Sequence, residues 1–83
     1  MDMQYTRGRL AAVVELLDEL RAMLSLDVDR VAVTAHDDHH DDPEWEAIAK
    51  TLSDAYLDII RARDRLDEAR MALWQLMQKE TRT

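Results

Sequence analysis

Apolar residues recur at alternating steps of three and four through most of this chain, with polar residues between them. The longest run is free of Gly and Pro and comprises Trp45, Ile48, Leu52, Ala55, Ile59, Ala62, Leu66, Ala69, Leu73 and Leu76. A seven-residue repeat of this kind is typical of a coiled-coil seam. It predicts one long helix over residues 43–79, with large residues along one half of its seam and Ala in the middle of the other half.

The start of this helix is marked by the sequence Asp42-Pro43-Glu44. An Asp side chain can accept hydrogen bonds from the free N–H groups of a first helical turn. Pro fits the first helical position because its missing donor has no partner there, and Glu suits the positive end of the helix dipole.

Helical spacing in the first half begins at Leu10 and continues through Val13, Leu17, Leu20, Leu24 and then Val28 or Val31. It predicts a helix over residues 9–35 after an irregular lead-in, in which Thr6 is the candidate N-cap. Ser25 and Asp27 favour caps over helix interiors, so a kink or restart is expected near Ser25. Val14, Leu16, Met23 and Leu26 widen the apolar stripe beyond a two-helix seam.

The segment 36–42 contains His and Asp alone, which predicts the loop of a helical hairpin. The predicted fold is therefore all-α, a single helical domain over residues 1–83 whose two arms run antiparallel. The extra apolar surface of the first arm favours a homodimer in the form of a four-helix bundle. The residues predicted for the dimer interface are Leu16, Met23, Leu26 and Trp74.

Composition narrows the possible classes of protein. The 83 residues include one Gly, one Pro and no Cys, which excludes disulfides, thiolate zinc sites and cysteine nucleophiles. There is no run of 18 apolar residues and no basic, apolar leader at the start, so a cytoplasmic protein without a membrane segment is expected.

Charge is concentrated in residues 27–58, which hold ten Asp or Glu and two Lys or Arg, a net charge of −8 within a total of −7. We call this segment the acidic end, since a hairpin places it at the turn. A net negative charge argues against direct binding of nucleic acid and favours a protein partner with a basic surface. The predicted contact residues are Asp37, Asp38, Asp41, Asp42, Glu44, Glu46, Asp54 and Asp58.

The polar residues allow two other interpretations. The acidic end could be a solvated loop that keeps the protein soluble. His36, His39 and His40 could bind a metal or sense pH, but their spacing fits no metal-binding template. We therefore predict no cofactor and no functional metal site.

A third interpretation starts from the cluster Glu15, Asp18 and Glu19 on the first arm, with Asp54 and Asp58 on the second. Carboxylates on facing helices can hold two divalent ions, and in outline this resembles the all-α nucleotide pyrophosphohydrolases. The resemblance implies hydrolysis of nucleotides with magnesium or manganese.

The preferred expectation is a non-enzymatic interaction module, a small acidic inhibitor or adaptor that docks on a basic, possibly nucleic-acid-binding, surface. In size, charge and helicity it is similar to phage-encoded inhibitors such as anti-CRISPR proteins. A coiled-coil homo-oligomerisation module is the first alternative and the pyrophosphohydrolase is the second.

Overall fold

A computed structural model describes residues 2–81, which form two α-helices, α1 (Met3–Asp38) and α2 (Pro43–Thr81). The helices pack side by side into a rod of 65 × 17 × 16 Å. Residues 39–42 connect them, and no strand occurs among the described residues. The predicted all-α helical hairpin is confirmed.

Helix α1 begins earlier than predicted. The carboxylate of Asp2 accepts hydrogen bonds from the backbone N–H groups of Gln4 (3.0 Å) and Tyr5 (3.3 Å), so Asp2 is the N-cap. Thr6 lies inside the first turn, where its hydroxyl donates to the carbonyl of Asp2. The prediction of an irregular lead-in is therefore wrong for residues 3–8, and residue 1 lies outside the described part.

Helix α1 also continues through Ser25 without the predicted restart. The Ser25 hydroxyl donates to the Ala22 carbonyl at 2.9 Å, so its hydrogen bond is satisfied inside the helix. The helix ends at Asp38 rather than Ala35, and the connection shortens to four residues. At the other end of the rod, α2 continues to Thr81, past the predicted end at residue 79, and residues 82–83 lie outside the described part.

Helix α2 starts at the predicted position. Asp42 accepts a hydrogen bond from the Glu44 N–H at 3.0 Å, and Pro43 occupies the first turn. The turn before it is closed by a hydrogen bond from the Asp42 N–H to the His39 carbonyl at 2.9 Å. The His39 ring stacks on Trp45 with centroids 4.3 Å apart, which fastens the loop to α2.

The contact between the helices uses only half of each predicted seam. In α1 the inward positions are Leu10, Val14, Leu17, Leu24, Val28, Val31 and Ala35. In α2 they are Trp45, Ala49, Leu52, Tyr56, Ile59, Arg63, Leu66, Arg70, Leu73 and Met77. Val13 and Leu20 of α1 are exposed, as are Ile48, Ala55, Ala62, Ala69 and Leu76 of α2. On α2 this half of the seam is predicted one residue too early at every position. On α1 Val14 lies inward in place of Val13, and no neighbouring residue takes the place of Leu20.

The hairpin has a very small core of its own. Among the described residues only Val14 and Ala35 are buried, with 5% and 8% of their surface exposed. Each helix can cover only one side of the other, so most seam residues stay half-buried. The remaining apolar surface needs a further partner to leave water.

Candidate interaction surfaces

A cluster of charged side chains interrupts the apolar contact near the middle of the rod. Arg63 of α2 donates from Nε to the Asp18 carboxylate of α1 at 3.0 Å, and both side chains are about two-thirds buried, with 32% and 39% exposed. The hydrogen bond to Asp18 raises the pKa of the Arg63 guanidinium above its usual value. This ion pair sets the register, because it places residue 18 beside residue 63.

A second ion pair lies one turn further along α2. The Asp67 carboxylate accepts hydrogen bonds from Arg70 at 2.7 and 3.1 Å and lies 3.6 Å from the Arg63 guanidinium. The hydrogen bonds from Arg70 lower the pKa of Asp67, with a further contribution from the positive charge of Arg63. The cluster is internally neutralised, which leaves it little attraction for a ligand.

The two long sides of the hairpin differ in chemistry. One side carries the residues that come directly after the inward-facing Leu and Ile residues. Examples are Ala11 and Asp18 of α1, and Ile60, Asp67 and Trp74 of α2. Shallow grooves on this side join Ala11 to Trp74 and Asp18 to Ile60, so the residues of the two helices meet there. We call it the Trp face.

The opposite side is mostly apolar, and we call its apolar surface the Ala face. It carries the residues that come directly before the second inward-facing series, which contains Val14 of α1 and Arg63 of α2. In an antiparallel pair of helices, the residues that occupy this same position in both helices lie on the same side of the pair. On α1 these positions hold Val13, Leu20, Asp27 and Thr34, and on α2 they hold Ile48, Ala55, Ala62, Ala69 and Leu76. Leu16 and Met23 lie beside them on the outer edge of the same side of α1.

The Ala face consists of the apolar residues of this side: Val13, Leu16, Leu20, Met23, Ile48, Ala55, Ala62, Ala69 and Leu76. All of these side chains are exposed, with Leu16 at 56%, Met23 at 70% and Leu76 at 58%.

The four residues predicted for a dimer interface do not share one surface. Leu16 and Met23 lie on the Ala face. Leu26 lies on the outer side of α1, away from α2, and Trp74 lies on the Trp face. A single flat partner cannot cover all four, since only two of them lie on the Ala face.

The residues of the acidic end divide into two groups. Asp37, Asp38, Asp41, Asp42 and Glu44 surround the turn, where His36 contacts Asp37 and His40 contacts Asp41 at 3.0 and 3.2 Å. Within residues 2–81, no Lys or Arg lies within 4.0 Å of these five carboxylates. This group is a compact, negatively charged surface.

The other three predicted contact residues point in different directions. Glu46 lies on the Trp face, in a groove with His39 and His40. Asp54 lies on the outer side of α2, and Asp58 borders the Ala face, where it pairs with Arg61 at 3.6 Å. Asp54 and Asp58 are therefore separate from the carboxylates at the turn.

The acidic cluster that resembles a pyrophosphohydrolase site is spread along the rod. Asp18 faces Arg63, whereas Asp54 and Asp58 lie about 14 and 8 Å nearer the turn, at 1.5 Å per residue. Glu15 and Glu19 are exposed on other sides of α1. In the described part of the chain, no three His, Asp or Glu side chains are grouped so that they could hold a metal ion.

Comparisons with protein-family models, with curated proteins and with solved structures find no match for this chain. Neither helix, in the range 2–81, has an apolar segment of the length that a bilayer crossing requires. The interaction surfaces above are therefore the basis for a functional proposal.

Most of the Ala face is not predicted from the sequence to lie outside the contact between the two arms. Seven of its nine residues are predicted to lie in that contact, and only Leu16 and Met23 are predicted for a dimer interface. The width of the apolar stripe on α1, which is typical of helices in bundles of more than two, points to Leu16 and Met23. On α2 the regular seven-residue spacing instead favours the contact between the arms.

Proposed function

We propose that this chain is a non-enzymatic protein–protein interaction module that pairs with itself and offers its acidic end to a partner with a basic surface. The pair is a four-helix bundle of two hairpins. In this role the protein is an adaptor, or an inhibitor that competes for a basic surface.

The observation that carries the proposal is the separation of charge along a 65 Å rod. The acidic end has a net charge of −8, while residues 1–26 and 59–83 have net charges of −1 and +2. The carboxylates around the turn lack Lys or Arg partners within the described residues. Charges of one sign at one end of a molecule steer a partner of the opposite sign to that end.

A basic surface that binds nucleic acid is a suitable partner for this end. Asp37 and Asp38 at the end of α1, Asp41 and Asp42 in the turn, and Glu44 in the first turn of α2 place five carboxylates at one end of the rod. A dense group of negative charges can occupy a basic surface in place of nucleic acid phosphates. Such an inhibitor competes with nucleic acid, and its affinity falls as salt rises because the attraction is electrostatic. The same charge repels nucleic acid from the module itself.

Self-association alone is the second candidate function. It is favoured by the exposure of large apolar side chains on the Ala face, including Leu20 at 50% and Ile48 at 52%. A chain with only this function would use the acidic end for solubility and needs no other partner.

Affinity capture with matched charge variants separates the two candidates. The first variant combines Asp37→Asn, Asp38→Asn and Asp41→Asn, which leaves the Asp42 cap intact. The control combines Glu15→Gln, Glu19→Gln and Glu68→Gln, which removes the same charge from exposed positions far from the turn.

Under the first proposal, the native chain and the control retain a basic protein at low salt, and the first variant and high salt release it. Circular dichroism checks that all three chains are equally helical. Equal capture by both variants would contradict docking through the acidic end. Retention of nothing but further copies of the chain would leave self-association as the function.

A further inference from the structure

The Ala face has an internal symmetry that restricts how a second copy can bind. Along α2 its residues are Ile48, Ala55, Ala62, Ala69 and Leu76, which gives large, Ala, Ala, Ala, large from either end. The centre of this series is Ala62. Along α1 the series Val13, Leu16, Leu20 and Met23 has its centre at position 18.

The two centres lie at the same height on the rod. The 3.0 Å ion pair between Asp18 and Arg63 places residue 18 of α1 beside residue 63 of α2. Both series have their centres at this height. A two-fold axis that passes between two facing copies at this height, perpendicular to the rod, therefore brings the Ala face of one copy onto the Ala face of the other. It sets α1 against α1 and α2 against α2 in opposite directions. A surface that is complementary to itself is the requirement for a two-fold dimer.

This axis pairs residues of matching size. Ala62 meets Ala62 of the second copy, and Ala55 meets its Ala69, so the two α2 helices can approach closely. Ile48 meets Leu76 at each end. On α1, Leu16 meets Leu20 and Val13 meets Met23.

The charges beside the Ala face also match under this axis. Glu44, Asp58, Arg65 and Lys79 are exposed on the flank of α2 next to the Ala residues. The axis brings Glu44 opposite Lys79 of the second copy and Asp58 opposite its Arg65. On α1 it brings Arg9 opposite Asp27. A parallel dimer would instead place two acidic ends of net charge −8 side by side.

The exposed area is of the size that such a dimer needs. The accessible surface of the chain is 6734 Å². A compact protein of 9.7 kDa exposes roughly 5,100 Å². The excess of roughly 1,600 Å² is spread over the whole rod, and it is comparable to the 1,000–2,500 Å² per chain that obligate homodimers bury.

We infer that two copies of this chain pack through their Ala faces as an antiparallel four-helix bundle, with the two-fold axis at Ala62. This inference rests on the self-association proposed above and specifies its surface. Since the axis crosses the middle of the rod, the two hairpins overlap along their full length. The acidic ends then lie at opposite ends of the bundle, where each can engage a separate basic partner.

Single cysteines test the axis directly, because the native chain has no Cys. Ala62→Cys is expected to form a disulfide-linked dimer on mild oxidation, and a short bis-maleimide reagent gives a second readout. Ala22→Cys, exposed on the side of α1 away from the Ala face, is the control and is expected to remain unlinked.

Ala55→Cys and Ala69→Cys extend the test. Each variant alone has its two cysteines about 21 Å apart in the antiparallel dimer, at 1.5 Å per residue, so it is expected to remain unlinked. A mixture of the two variants is expected to link. A parallel bundle would link neither the mixture nor Ala62→Cys, because it sets α2 against α1 of the second copy.

Sedimentation equilibrium of each variant separates the two levels of the proposal. A dimer that links through Ala62→Cys and through the mixture supports the inference. A dimer without these links overturns the Ala face as its interface and leaves self-association standing. A monomer overturns self-association as well, while docking through the acidic end is decided by the capture experiment.

Discussion

Asp18 and Arg63 form the only ion pair between the two helices within residues 2–81. Arg63 occupies an inward position where a coiled coil usually has an apolar residue. A polar residue at such a position selects one register, because other registers leave its charge without a partner. A slip of seven residues would place Ala11 or Ser25 where Asp18 now lies. The pair therefore limits the hairpin to one alignment.

Asp67 provides a test of the charged cluster through pH. Its pKa is lowered by the hydrogen bonds from Arg70 and by the charge of Arg63. Because the folded pKa is below that of the unfolded chain, ionised Asp67 adds stability that is complete above the unfolded pKa, about 3.9. That stability is lost as the pH falls through the folded pKa.

We therefore expect Asp67→Asn to lower the free energy of unfolding at neutral pH and to have a diminishing effect as the pH falls below about 4. Urea unfolding at a series of pH values and one protein concentration measures the difference. Glu68→Gln, which neutralises the exposed neighbour, is the control. A difference for Asp67→Asn that stays constant down to the lowest pH would contradict the prediction.

At the scale of the helices, one stripe of α2 could be predicted from the sequence and its neighbour could not. Trp45, Leu52, Ile59, Leu66 and Leu73 are apolar at every seventh residue and face α1 as predicted. Two further series of residues lie on either side of this stripe, one that contains Ala62 and one that contains Arg63. The sequence pattern predicts that the Ala62 series faces α1, because it is apolar throughout. In the structure the Arg63 series faces α1 instead.

The reason for this outcome lies in the other helix. The series on the inward flank contains Tyr56 and Met77, which extend the apolar contact, and Arg63, whose charge is paired by Asp18. A pattern read along one helix contains no information about a carboxylate on the other. The early start of α1 was missed for a different reason, since Asp2 is a recognisable N-cap and its signal is local.

The start of α2 leads to a prediction about capping. Asp42 accepts the hydrogen bond from the Glu44 N–H, so Asp42→Ala is expected to lower the free energy of unfolding by about 1 kcal/mol. Asp42→Asn keeps the acceptor and removes the charge, so its effect is expected to be much smaller. Urea unfolding followed by circular dichroism at fixed concentration compares the two. An equal loss for both variants would mean that the charge, rather than the cap, stabilises the helix.

At the scale of the whole molecule, the hairpin and the position of its charge could be predicted because both follow from the order of residues. Acids that lie between two helical segments must come to the turn. The surface proposed for a second copy depends on which flank each helix turns outward. The outward flank of each helix is determined by the packing of α1 against α2. This packing places Trp74 on one side of the hairpin and Leu16 and Met23 on the other.

The small core predicts that folding depends on association. Only Val14 and Ala35 are buried among the described residues, so an isolated hairpin hides little apolar surface, and the proposed dimer would bury more. If no stable folded monomer exists, a hundredfold rise in protein concentration adds roughly 2.7 kcal/mol to the stability of the dimer. For a folding unit of two such chains this raises the Tm by about 5–10 °C.

Thermal melts followed by circular dichroism at several concentrations measure this shift. Ala62→Glu places two carboxylates at the two-fold axis and is expected to melt at low temperature, with no dependence on concentration. Ala22→Glu carries the same change on the side of α1 away from the Ala face and is expected to keep the native concentration dependence. A native Tm that does not change with concentration would mean that the hairpin is stable alone, and its exposed apolar side chains would then require another explanation.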